Sequence, residues 1–350
     1  MKKPIQIICL LLLVTSSISL LPGCSKRSTR SCGGAELIAF LSDRSGHQYM
    51  LWTMKSDGTA QKMLEGAWVM RMPGRLLLLS PDRNLIVFAQ GNKSRGWLMK
   101  VNSDGSELDT LIIEASLSYF HLGGWSPDGG KLVYHLESYF GEPQSVVYVI
   151  NPDGSGRLTL DEGYDPRFCG NDKVVYSRHD GIYVIGTSGE DKQRLQEALF
   201  GTSLLKPAGS PDGKKVAFGR GLVVPPPNQI CWLEIINTDS SGQTKLAEMY
   251  GLSTISEIEF SPDNKRILFL AVRETGAEIY VVNVDGSDLR PLTNNSALAD
   301  GHARWSPDGS RIVFTSTRDG NQEVYTVNTY GPPQMKRLTN NLAGDCNPDW

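Results

Sequence analysis

Histidine is the side chain best suited to hold a metal or carry a proton near neutrality, and this 350-residue chain has five: His47, His121, His135, His179 and His302. No two of them have the spacing of a His-Glu-x-x-His helix, and neither a Cys-x-x-Cys pair nor a phosphate-binding Gly-rich loop is present. A metal or acid–base centre must therefore be assembled from distant segments, with His121, His302 and Asp300 as the candidate set. Gly186-Thr187-Ser188-Gly189 lacks the Gly-x-Ser-x-Gly spacing of a hydrolase nucleophile. Ser-Pro-Asp also sets a hydroxyl beside a carboxylate, but it recurs from Ser80, Ser126, Ser210, Ser261 and Ser306, and a triplet repeated in this way reads as scaffold. No cofactor is expected.

That scaffold is a repeat with a period of about 45 residues. Trp305-Ser306-Pro307-Asp308-Gly309 followed by Ile312-Val313-Phe314 is its clearest copy, and Trp125-Ser126-Pro127-Asp128-Gly129 with Leu132-Val133-Tyr134 is another. The phrase starts at Leu79, Trp125, Phe168, Gly209, Phe260, Trp305 and Trp350. Pro-Asp-Gly is turn chemistry: a fixed φ, a side chain that caps its own turn, and a residue tolerant of positive φ. A β-branched or aromatic strand follows, then a variable loop, then a strand ending in asparagine such as Ile279-Tyr280-Val281-Val282-Asn283. Asp-Gly at Asp57, Asp104, Asp153 and Asp285 makes the next hairpin. Four short antiparallel strands per unit predict an all-β, seven-bladed β-propeller.

The two ends fit one blade. Leu37-Ile38-Ala39-Phe40 aligns with Arg311-Ile312-Val313-Phe314, a second strand, while Asp345-Cys346-Asn347-Pro348-Asp349-Trp350 reads as the first strand it lacks. Sharing that blade closes the ring and removes the open sheet edges of a linear array.

These copies resemble the WD-like β-propeller repeat of the TolB family, which runs Trp-Ser-Pro-Asp-Gly, Ile-Ala-Phe, Ile-Tyr-Val-Met-Asn, Asp-Gly-Ser. The resemblance covers nearly all of residues 35–350. TolB proper has six blades behind an N-terminal α/β domain, whereas this sequence predicts seven and no such domain. Among propellers with similar repeats, oligogalacturonate lyases are the nearest enzyme class and use a channel-mouth metal held by histidines. The resemblance thus implies His121, His302 and Asp300 as the metal set of an alternative lyase reading.

At the front, Met1-Lys2-Lys3 and the apolar run 5–14 read as a secretory leader, residues 1–23. It ends at Leu21-Pro22-Gly23-Cys24, which resembles a bacterial lipobox and makes Cys24 the lipidated residue. Residues 24–34 then form a lipid anchor and a polar linker, whose segment 25–31 reaches about 15 Å. Its three basic residues read first as a solubilising spacer, the alternative being attraction to anionic headgroups worth ~1 kcal/mol each near the surface. Loss of Lys2 and Lys3 takes the net charge from −3 to −5 without charge runs, which excludes the basic face of a nucleic-acid binder. Cys32, Cys169, Cys231 and Cys346 remain, and export permits disulfides. A Cys32–Cys346 bridge would lock the closure, although the alignment separates the two by roughly 13 Å at strand rise.

In this topology the Pro-Asp-Gly and Asp-Gly turns share one face of the disc. The opposite face carries the long loops 137–145, with Tyr139 and Phe140, and 221–229, with a triple proline. Links between blades there bring Trp68, Tyr119, Phe120, Tyr164, Phe200 and Tyr250, the expected binding-face aromatics. The sequence therefore predicts a membrane-tethered, exported, non-catalytic module that binds an envelope protein or glycan. Changing Cys24→Ser should release the protein from the membrane fraction or stall its processing, and a variant that still pellets after a high-salt wash would contradict the anchor.

Overall fold

Ser-Pro-Asp closes the turn between the first and second strands of five sheets in the computed structural model, which describes residues 37–46, 48–69, 75–91, 95–114, 118–138, 144–199, 201–222, 224, 229–294 and 300–350. Ser126 Oγ donates to Asp128 Oδ1 at 2.6 Å and accepts from Lys131 N at 2.9 Å. Ser80, Ser210, Ser261 and Ser306 repeat both bonds. The hydroxyl is consumed in holding its own turn, which confirms the scaffold reading. In the second hairpin, Asp57, Asp104, Asp153 and Asp285 each accept from the N–H and the hydroxyl two residues on. Asp239 does the same although Ser240, at φ 67°, stands where the other copies have glycine.

The described strands form seven sheets of four antiparallel strands. Their innermost strands are Leu77–Leu79, Ser118–Trp125, Tyr164–Cys169, Thr202–Gly209, Thr254–Phe260, Asp300–Trp305 and Asp345–Asp349. The core lies between neighbouring blades. Phe40, Phe88, Tyr134, Tyr176, Phe218, Phe269 and Phe314 occupy the same place in the seven second strands, and each is at most 1 % exposed. Burying an aromatic ring of this size contributes about 3 kcal/mol. Most of these rings also meet an aromatic of the third strand, as Phe269 meets Tyr280 at 5.5 Å and Phe314 meets Tyr325 at 5.7 Å.

The copy that starts at Gly209 lacks its aromatic for a steric reason. A Cβ on Gly209 would sit 2.4 Å from both Phe168 O and Cys169 Cβ. The preceding blade thus occupies the space that Trp125 or Trp305 fills elsewhere.

The composite blade forms as the alignment requires. Its strands run Asp345–Asp349, Leu37–Ser42, Tyr49–Lys55 and Lys62–Val69, with Ala39 opposite Asp349 and Leu41 opposite Cys346. Trp350 is 6 % exposed and packs with Ile38, Phe40, Val313 and Val324, across the junction with the sixth blade. The Arg311 guanidinium lies 5.0 Å from its ring, as Arg266 lies 4.8 Å from Trp305 one blade earlier. At the other junction, Asp349 Oδ2 accepts from Leu79 N at 2.8 Å and Oδ1 faces Arg75 Nη2 at 3.3 Å. Arg44 pairs with Asp345 at 2.6 Å within the blade. Cys346 is buried in the blade, while Cys32 and Cys24 lie outside the described residues.

Deleting residues 347–350 should therefore cost at least the 3–5 kcal/mol typical of removing a core tryptophan. Urea denaturation reads that loss, and an unchanged midpoint would contradict ring closure through this strand.

Candidate functional site

In five blades the inner strand breaks register at one place, three residues before the phrase begins. Asp165, Lys206, Glu257, His302 and Asn347 stand there with φ of 52°, 27°, 51°, 54° and 52°, each at a β-bulge. The left-handed region costs a non-glycine residue about 1 kcal/mol or more, so five such residues at one repeat position mark a feature built into the ring. Two residues further on come Arg167, Ala208, Glu259, Arg304 and Asp349, with Gly124 and Leu78 at the equivalent place in the other two blades. All seven line a central cavity of about 500 Å³ to which every blade contributes. Pro81, Pro127, Pro211, Pro262 and Pro307 form its collar, so the cavity reaches the face of the tight turns.

The charges around this cavity do not simply cancel. Arg75 enters from the link before Leu77–Leu79, reaching Gly123 O at 3.4 Å and Asp349 at 3.3 Å. Its Nη1 passes 3.9 Å from where a Cβ of Gly124 would stand, so that glycine leaves it room. Arg167 and Arg304 each give one N–H to the carbonyl of the residue before, Pro166 at 2.9 Å and Ala303 at 2.6 Å. Neither makes an ion pair with a described carboxylate. Burial and the neighbouring Arg75 and Arg304 push the Arg167 guanidinium down to about 10. Burial also lowers Arg75, with Arg304 as its chief repelling neighbour.

Among the acids, Glu257 is engaged: its Oε2 accepts from Ala303 N at 2.9 Å. Burial opposes its charge, but His302, Arg304 and that N–H hold its carboxyl below the usual range. Burial raises Glu259 despite Arg304 and Arg75, and its Oε2 has no hydrogen-bond partner. Mutually repelling guanidiniums gathered in one cavity are suited to receive an anionic group.

The residues expected from sequence fall elsewhere. Tyr119 and Phe120 belong to the inner strand Ser118–Trp125 and not to an interblade link, because the ladder starts earlier, with Ser118 opposite Ser138. Phe120 is 3 % exposed, packs on Tyr134 at 5.5 Å, and is core. Trp68 is half-buried in the outer strand Lys62–Val69, and Tyr164 opens the strand Tyr164–Cys169 with its ring 5.9 Å from His179. Tyr250 ends Thr244–Tyr250 and is 66 % exposed. Tyr139, Phe140, Phe200 and His47 lie outside the described residues.

The candidate metal set does not fit a metal. His121 bonds Glu137 at 3.1 Å and stacks on His135 at 4.4 Å. Both Asp300 oxygens bind Arg318, at 3.0 and 3.1 Å, and His302 sits beside Glu257 in the sixth blade's bulge. Among the described residues no three histidine, cysteine or acidic side chains gather into a metal site.

The channel ring went unread in the sequence because its members share no residue type. A signal existed nonetheless: a proline follows the bulge in Asp165-Pro166-Arg167-Phe168, Lys206-Pro207-Ala208-Gly209 and Asn347-Pro348-Asp349-Trp350. Proline inside a sheet is confined to edges and bulges.

Comparison with known proteins agrees with the architecture. The family profile described as TolB beta propeller domain matches residues 172–350, and no curated protein sequence matches the chain. Among solved structures, an oligogalacturonate lyase in complex with manganese is similar at TM-score 0.63 and 15% identity, over 83% of this chain and 85% of that one. The β-propeller domain of the Trilobed protease from Pyrococcus furiosus, described as having an open velcro topology, gives 0.61 and 13%, over 87% and 92%. TolB from Acinetobacter baumannii gives 0.50 and 16%, over 86% and 78%. At these identities the likeness is one of fold.

His135, outside the channel, gives the fold a measurable pH signature. It is 6 % exposed, and burial, then the adjoining His121, push it down to about 3. The unfolded chain takes up this proton near pH 6.5 and the folded protein does not, so stability falls as pH drops through that window, by about 1.4 kcal/mol per unit. Denaturant midpoints between about pH 4 and pH 6 should flatten in H135F by that slope. An unchanged slope would show that His135 is protonated in the fold.

Proposed function

This chain belongs to the TolB β-propeller domain family, and we propose that it is an exported, lipid-tethered binding module that engages an envelope protein or glycan end-on without transforming it. The observation carrying this reading is the channel ring. Seven blades repeat their core aromatic and five repeat the Ser-Pro-Asp turn, yet the position before the phrase holds Arg167, Glu259, Arg304 and Asp349 in some blades and Gly124, Ala208 and Leu78 in others. Apart from Asp349, which also ties the closing strand to the first blade, folding requires no such asymmetry, since Gly124 and Ala208 serve at the same place. Function on repeat scaffolds resides where the repeats differ.

The proline collar makes the tight-turn face the natural docking end, opposite to the long loops favoured from sequence alone. Turns laced from blade to blade, such as Asp128 N to Asn171 Oδ1 and Asp212 N to Asn264 Oδ1, both 3.0 Å, give that face a rigid rim. Rigid docking surfaces limit the ordering cost of association. Tethering through Cys24 would keep the disc close to the lipid.

Capture of crosslinked envelope components tests the assignment. Arg83, two residues after Pro81, also lines the cavity; Arg83→Glu should abolish capture, while shortening the loops 139–143 and 225–228 should leave it intact. The opposite pattern would place docking on the loop face, and turnover of an acidic oligosaccharide by the purified protein would overturn the non-catalytic reading.

A further inference from the structure

We infer that the central channel is an anion receptor, in which Arg75, Arg167 and Arg304 take a carboxylate or phosphate group presented through the proline collar. This rests on the end-on reading and specifies the chemistry that reaches the channel. The three arginines come from three different blades and line one cavity of about 500 Å³, large enough for a small ligand or a single protruding side chain.

Their charges are only partly compensated by the protein. Asp349 is committed to Leu79 N and Arg75, where it ties the closing strand to the first blade. Glu257 is committed to Ala303 N. Glu259 is left, with Oε2 unpartnered and burial working against its charge. Arg167 and Arg304 each spend one N–H on a neighbouring carbonyl, make no ion pair with a described carboxylate, and line the cavity. Guanidiniums that repel one another are held together at a cost that an arriving anion removes, because the planar fork of each matches two oxygens at once. An uncharged or cationic group gains nothing of this kind.

The position of the acids supports the same assignment. Asp349 and Glu257 serve backbone N–H groups at blade junctions, so they act as fixed struts. Their removal would loosen the ring, whereas removal of Arg167 or Arg304 leaves every junction bond in place.

Trp125, Trp305 and Trp350 line the cavity and supply an intrinsic reporter. Titration with inorganic phosphate and, separately, with malonate should give saturable fluorescence changes that matched sodium chloride does not reproduce. The tighter of the two identifies the group recognised. R167Q and R304Q should each weaken binding about 10-fold or more, as loss of a charge-assisted hydrogen bond implies, with the denaturation midpoint retained. E259Q should bind at least as tightly as the natural chain, a result that misfolding cannot produce. Absence of saturable binding, affinity in R167Q and R304Q unchanged from the natural chain, or loss of binding in E259Q would overturn the receptor. If anion binding fails while Arg83→Glu still abolishes partner capture, this inference falls and the end-on reading stands.

Discussion

Everything in this molecule depends on closing a ring of seven sheets with a strand supplied by the last residues of the chain. Inner strands can face a common axis only if each blade is braced on both sides. Asp345–Asp349 braces the composite blade by pairing with Leu37–Ser42, and Trp350 fills the junction with the sixth blade. Asp349 then reaches the first blade through Leu79 N and Arg75. A residue that closes the fold is therefore also part of the channel wall, so the integrity of the ring and the electrostatics of its axis are one problem.

The division of labour within a blade follows from this constraint. Core and turn positions repeat, because every junction poses the same packing question: an aromatic within the second strand answers it in all seven blades, with a Ser-Pro-Asp turn beside it in five. Axial positions face the channel and make no such demand. They are free to carry charge, and in five blades a left-handed bulge residue stands two positions before them. Strain of this kind persists only where the surrounding ladder over-determines it, which the paired second strands provide.

Much of this was legible in the sequence. Turn chemistry, the Ile-Val-Phe strands and the mismatched ends were enough to count blades and to place Trp350 in the core, since each is set by local propensity or by period. Phe120 was misplaced because a loop aromatic and an inner-strand aromatic look alike until the ladder is known to begin at Ser118. The channel ring was missed for a different reason. Arg167, Glu259, Arg304 and Asp349 are far apart in the chain and share only an offset from the phrase, and Arg75 lies outside even that register. Convergence onto an axis is a property of closure, and no window of sequence contains it.

The guanidiniums gathered on the axis of the ring should attract an anion. The anomalous signal of selenium in crystals grown with selenate, an isostere of sulfate and close in shape to phosphate, measures this directly. A peak inside the channel within hydrogen-bond distance of Arg167 and Arg304 is the predicted result. Peaks confined to the outer surface, with the channel arginines contacting only protein and water, would contradict it.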